Sequence, residues 1–154
     1  VKVAGRWCSL YRAIDSDGNL VEIMLSKTRA MAAAKRFFAC ALKAVGQAPE
    51  KVTTDGHDAY PRAVRETLGP DVCHRTSRSM NNRIEQDCRG IKQRYYPMRG
   101  FGSFASAARF CTAHDELRDH LRPRTRFNEA VSLAEQRRLF QARWGEVCAL
   151  LQAA

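Results

Sequence analysis

No apolar run in this sequence approaches the roughly 20 residues that a membrane-spanning helix needs, so its residues offer no spanning helix. No long stretch sets Lys and Arg opposite a bulky apolar face, which makes a membrane surface the weaker partner for its charge. The first residues alternate like a strand and do not read as a signal peptide. There is no C-x-x-C pair and no H-x-x-x-H spacing, which removes the usual zinc frameworks. The cysteines at 8, 40, 73, 88, 111 and 148 fall within apolar patterns. They read as reduced, buried thiols of a cytoplasmic protein and not as a disulfide framework. Internal repeats and low-complexity segments are absent too.

Negative charge is also scarce. Sixteen Asp and Glu stand against 26 Lys and Arg, for a net charge of +10 and a pI near 9.8. That balance implies a polyanionic partner, nucleic acid first. Half of the excess sits in residues 75–99, where Arg75, Arg78, Arg83, Arg89, Lys92, Arg94 and Arg99 face only Glu85 and Asp87. A solvated helix face mixes signs more evenly, so the stretch reads as a phosphate-seeking surface. Tyr95 and Tyr96 lie inside it. Either could stack on an exposed base or plug the core at a helix end, and one of the two is expected in the core.

What is present is enough for one folded domain: 154 residues, 45% of them hydrophobic. Val1–Val3, Arg6–Ile14 and Leu20–Leu25 read as three antiparallel strands, turning at Ala4-Gly5 and at Asp15-Ser16-Asp17-Gly18-Asn19. Thr28 is the expected N-cap of a helix to Val45, with Phe37, Phe38, Ala41 and Leu42 on one stripe and Gly46 ending it. Lys51–Thr54 reads as a short strand ending at Asp55-Gly56, and Tyr60–Leu68 as a short helix. Asp71–His74 is a candidate fifth strand. Asn81-Asn82 would cap a helix through about Arg94. Ser103 would cap a longer one, with Ala107, Phe110, Cys111, His114, Leu117 and Leu121 on one face. The tail reads as one or two helices built on residues such as Phe127, Phe140 and Trp144. The expected fold is α/β, a ribonuclease-H-like mixed sheet of three antiparallel strands plus further short strands, flanked by helices.

Two carboxylates stand out. Asp55 falls at the carboxyl end of a strand, where open α/β sheets commonly bind ligands. Glu85 lies near a helix start inside the basic stretch. Each has a plain alternative: Asp55 as a turn residue, Glu85 as the far half of a capping box begun at Asn82. Gathered carboxylates repel and call for a cation, and oxygen-only ligands favour Mg²⁺ or Mn²⁺. His57 and His74 follow strand ends and read as turn residues or phosphate contacts. His114, on an apolar face, reads as a core residue.

The segments VKVAGRWCSLYRAID, KVTTDGHDAYPRAV and CHRTSRSMNNRIEQDCRGIKQRYYPMRGFGSF resemble the catalytic core of bacterial insertion-sequence transposases of the DDE type, in the insertion sequence six family. The resemblance spans roughly residues 1–124, leaving 125–154 as a helical tail. It implies DNA transposition: Mg²⁺-dependent strand cleavage and strand transfer on element ends and target DNA, by a homo-oligomer in the bacterial cytoplasm, at the nucleoid. Asp55 matches the family's second aspartate and Glu85 its glutamate, which together with a further aspartate hold two Mg²⁺ (or Mn²⁺) ions. Arg75, Arg78, Arg83, Arg89, Lys92 and Arg94 become the expected DNA contacts. The family's first aspartate belongs to an Asp-Glu-Thr-Tyr sequence just before the Val-Lys-Val strand, which here opens the sequence. The expectation is therefore a core that lacks this ligand and the family's helix-turn-helix segment, and that is inactive in cleavage alone. The alternative is a non-catalytic DNA-binding fragment or regulator. It would bind DNA in a salt-dependent manner without metal.

Overall fold

A computed structural model describes residues 1–77, 82–122 and 131–153; for residues 82–87 it describes the backbone alone. Among the described residues six strands and five helices follow one another as β1 (Lys2–Val3), β2 (Arg6–Trp7), β3 (Ser9–Ile14), β4 (Leu20–Ser26), α1 (Met31–Val45), β5 (Lys51–Thr54), α2 (Ala59–Leu68), β6 (Cys73–Thr76), α3 (Asn82–Tyr95), α4 (Phe104–Leu121) and α5 (Leu133–Ala153).

The β3–β4 hairpin is the middle layer. Its register pairs Leu10 with Leu25 and Arg12 with Ile23. Because side chains alternate along a strand, its two faces carry different partners. Tyr11, Ala13 and Met24 pack with Phe37 and Phe38 of α1 and with Ala63 and Val64 of α2. Leu10, Ile23 and Leu25 pack on the other side, with Ile91 of α3 and with Ala107 and Cys111 of α4. Apolar burial on both faces is what makes a marginal two-stranded ribbon stable.

The strands pair in twos: β1 with β2, β3 with β4, and β5 with β6 in parallel. The single mixed sheet expected from the sequence is therefore interrupted among the described residues. Between β3 and β5 lies an open cavity of about 900 Å³, lined by residues of both strands and bordered by α1 and α3. The edges of β3 and β5 turned toward it have no ladder partner among the described residues, which is where the sheet breaks. The expected Arg6–Ile14 strand is itself divided at Cys8, although Val1 and Cys8 exchange backbone hydrogen bonds of 2.8 and 2.9 Å that extend the β1–β2 ladder.

Several boundaries need correcting. Thr28 does not cap α1. The cap position is Ala30, without a side-chain bond, and the Thr28 N–H instead reaches Ser26 Oγ at 3.4 Å. Gly46 does end the helix in the left-handed region, its N–H bonding to the Leu42 carbonyl at 2.8 Å. The strand expected at Asp71–His74 is β6, Cys73–Thr76, two residues later. Ser103 caps α4 as expected, its side chain accepting from the Ser106 N–H at 3.2 Å. The buried stripe of α4 is narrower than the six-residue face and runs through Ala107, Cys111 and Asp115, while Leu117 is exposed. Among its described residues α5 buries none, so Phe140 and Trp144 stack on each other half-exposed and do not fill a core. Phe127, expected in the same packing, lies outside the described residues. All six cysteines are free thiols, but only Cys111 is buried, and Cys40 and Cys73 are exposed.

Candidate metal and nucleic-acid site

Asp55 follows the last residue of β5. The parallel partner strand puts Thr54 opposite Thr76 and Thr53 opposite Arg75, so the turn after Thr54 leaves the sheet beside β6. Gly56 makes that turn possible. Its φ is +85°, and a Cβ there would lie 2.6 Å from Thr76 Cγ2, so both the backbone conformation and the space call for glycine. Asp55 Oδ1 accepts a long 3.4 Å bond from the His57 N–H. The turn reading of Asp55 thus describes part of its geometry.

The other carboxylate oxygen faces a cation. Arg29, in the loop between β4 and α1, donates from Nη2 to Asp55 Oδ2 at 2.5 Å. The two side chains are 44% and 47% exposed, so water screens the pair. The guanidinium carbon of Arg29 lies 5.8 Å from the centre of the Tyr60 ring, a cation–π distance. Tyr60 in turn meets Tyr11 and Phe38 edge-on, at 6.4 and 6.0 Å between ring centres. Core packing therefore fixes the platform on which Arg29 rests. Nothing in the spacing of Ser26-Lys27-Thr28-Arg29 marks Arg29 in the sequence, because its partner is 26 residues away.

The histidines are occupied locally. His57 Nδ1 accepts from the Ala59 N–H at 3.2 Å, which makes it part of the turn into α2. His74 Nε2 lies 2.9 Å from Thr54 Oγ1, tying β6 to β5. His114 hydrogen-bonds Asp115 through Nδ1 at 2.9 Å and stacks on Phe110, as a core residue would. Asp115 itself was not singled out in the sequence, although it sits at i+8 from Ala107 and i+4 from Cys111 on the buried stripe.

The basic residues divide into two groups. Arg75 is exposed on β6, next to the strand that ends at Asp55. Arg89, Lys92 and Arg94 are exposed on α3. Arg89 and Lys92 are one helical turn apart, and Lys92 lines the same cavity as Asp55 and Arg29. Arg94 lies off that line and reaches back toward the Gly90 carbonyl at 3.5 Å. Of the tyrosines, Tyr95 is 5% exposed and Tyr96 57%. Burial, then its neighbour Tyr96, pushes the Tyr95 hydroxyl up to about 12, so Tyr95 belongs to the core and Tyr96 to the surface. Arg78 and the side chains of Arg83, Glu85 and Asp87 lie outside the described residues, and so does any distance from Glu85 to Asp55.

Asp55 offers oxygen ligands only, the donor type that suits Mg²⁺ or Mn²⁺. Its Oδ2 already accepts a cation, the Arg29 guanidinium, and in that respect the residue fits one. Among the described residues no three His, Cys, Asp or Glu side chains come together to hold a metal. No helix among the described residues is long and apolar enough to cross a membrane.

Comparison with known proteins gives a consistent picture. A family model described as a DDE domain matches residues 1–124. The transposase for insertion sequence-like element IS431mec of Staphylococcus aureus strain Mu50 is 41% identical over 99 residues, covering 61% of this chain and 43% of that protein. The transposase for insertion sequence element IS257 in transposon Tn4003, also from Staphylococcus aureus, gives the same identity and coverage. The chain thus spans less than half the length of these curated relatives. No solved structure matches it significantly.

Proposed function

The chain belongs to the DDE transposases of the insertion sequence six family, and from that premise we propose that it carries two metal-binding carboxylates and a DNA-binding surface of a transposition core. The observation that carries the reading is Asp55: a half-exposed carboxylate at the carboxyl end of β5, already facing a cation, on a cavity shared with a basic residue of α3. Glu85 stands in the first turn of α3, three positions before Cys88 and seven before Lys92, a spacing that lines positions up on one helical face. Cys88 and Lys92 both line the cavity that Asp55 lines. The proposed fold is ribonuclease-H-like, with residues 1–124 as the core and 125–154 as a helical extension.

In this reading Asp55 and Glu85 hold divalent ions, Mg²⁺ or Mn²⁺, alongside a further carboxylate of the transposase. Such ions activate the attacking oxygen and stabilise the leaving one in phosphodiester chemistry. The chain's own part is to fix the DNA. Arg75, Arg78, Arg83, Arg89, Lys92 and Arg94 contact backbone phosphates, each contact releasing counterions and adding to the salt dependence of binding. The substrates are element ends and target DNA, and the active form is an oligomer.

Strand cleavage and DNA binding together test the reading. In a transposase containing these residues, Asp55→Asn and Glu85→Gln abolish Mg²⁺-dependent nicking of element-end DNA and leave DNA affinity within about twofold. For this chain, Arg89→Glu and Lys92→Glu each weaken duplex binding and lower the slope of log K against log salt by about one. Nicking that survives Asp55→Asn, or affinity that ignores ionic strength, contradicts the assignment.

A further inference from the structure

The seat of Arg29 supports one inference that rests on reading Asp55 as a metal ligand. Exposed ion pairs generally contribute little to stability, so a fold has small reason to build a platform for one. Yet Arg29 is held from three sides: by Asp55 Oδ2 at 2.5 Å, by the Tyr60 hydroxyl at 3.5 Å, and by the face of the Tyr60 ring. The ring itself is packed, meeting Tyr11 and Phe38 in edge-to-face geometry, and His57 lies 5.6 Å away. Arg29 thus holds the one described carboxylate that the proposed chemistry requires.

We propose that Arg29 is a positioning residue, the resident counter-cation of Asp55, and that it competes with a divalent ion for Oδ2. With no metal bound, the guanidinium neutralises the carboxylate and keeps it oriented into the cavity. A divalent ion at the same oxygen places a doubly charged cation within a few ångströms of the guanidinium, and their repulsion favours withdrawal of the guanidinium. Arg29 then stays on the Tyr60 face, where its planar fork suits a phosphate oxygen. Metal occupancy and phosphate contact are thereby coupled through one side chain.

Mn²⁺ titration of the whole chain tests this without any cleavage assay. The free ion is followed by electron paramagnetic resonance, with wild type, Arg29→Gln, Arg29→Lys and Asp55→Asn compared after their folding is checked by circular dichroism. The expected result is Mn²⁺ binding that Asp55→Asn removes, that Arg29→Gln tightens at least about threefold, and that Arg29→Lys leaves near wild type because the charge remains. Asp55-dependent binding that Arg29→Gln leaves equal or weakens overturns the competition while sparing the reading of Asp55. Absence of Asp55-dependent binding in wild type and in Arg29→Gln alike overturns that reading and the inference with it.

Discussion

Arg12 of β3 and Asp115 of α4 form an ion pair of 3.1 Å in the interior, their side chains 4% and 0% exposed. The pair ties the central hairpin to the helix that covers it, and His114 supplies a second bond to the same carboxylate. Removing one partner of a buried pair upsets the balance of charge in a medium that solvates ions poorly. Asp115→Ala is therefore expected to cost about 3–5 kcal/mol in urea unfolding. The double variant Arg12→Met/Asp115→Leu should recover much of that loss. A cost for Asp115→Ala below about 1 kcal/mol would contradict the structural weight given to this pair.

Gly56 fixes the direction in which Asp55 leaves β5. Its φ of +85° and the 2.6 Å approach to Thr76 Cγ2 both oppose a side chain. Gly56→Ala should destabilise the chain by about 1–2 kcal/mol. It should also weaken the Asp55-dependent Mn²⁺ binding described above. Unchanged stability would show that the turn relaxes freely and does not aim the carboxylate.

Glu66 links α1 to α2 by accepting from both Lys35 and Arg62. Lys35 first, then Arg62, hold its carboxyl down at about 2, against an ordinary value of 4.5. Because the folded-state value is depressed, the stabilisation is complete above the ordinary carboxylate range and is lost as pH falls from 4.5 toward 2. The difference in Tm between wild type and Glu66→Gln should be positive and flat near neutrality, then shrink through that window. A difference that grows on acidification would contradict the assignment. The site is open to solvent, so the effect is expected to be small.

Much of this architecture could be read from the residues. The strand Lys51–Thr54, the Gly46 stop and the Ser103 cap each depend on local chemistry, and each is found where the sequence puts it. The position of Asp55 at a strand end follows from the same local pattern. What could not be read depends on contacts between distant segments. Arg29 meets Asp55 because the β4–α1 loop comes beside the end of β5 and Tyr60 of α2. The exposure of Phe140 and Trp144 reverses an expectation drawn from their apolar character alone. The break between β3 and β5 is equally invisible to periodicity, since each strand has its pattern whether or not a neighbour lies beside it. Asp115 is the instructive intermediate case: its i+4 spacing from Cys111 puts it on the buried stripe of α4, but nothing in the sequence marks Arg12 as its partner.

The central claim is that Asp55 and Glu85 grip the same divalent ion beside the basic face of α3. Crystals of the protein grown with Mn²⁺ and examined by anomalous scattering test it most directly. The account predicts a manganese peak at bonding distance, about 2.0–2.3 Å, from carboxylate oxygens of both Asp55 and Glu85, with Arg29 turned away from Oδ2. A peak elsewhere, or Glu85 on the far side of the molecule from Asp55, would contradict it.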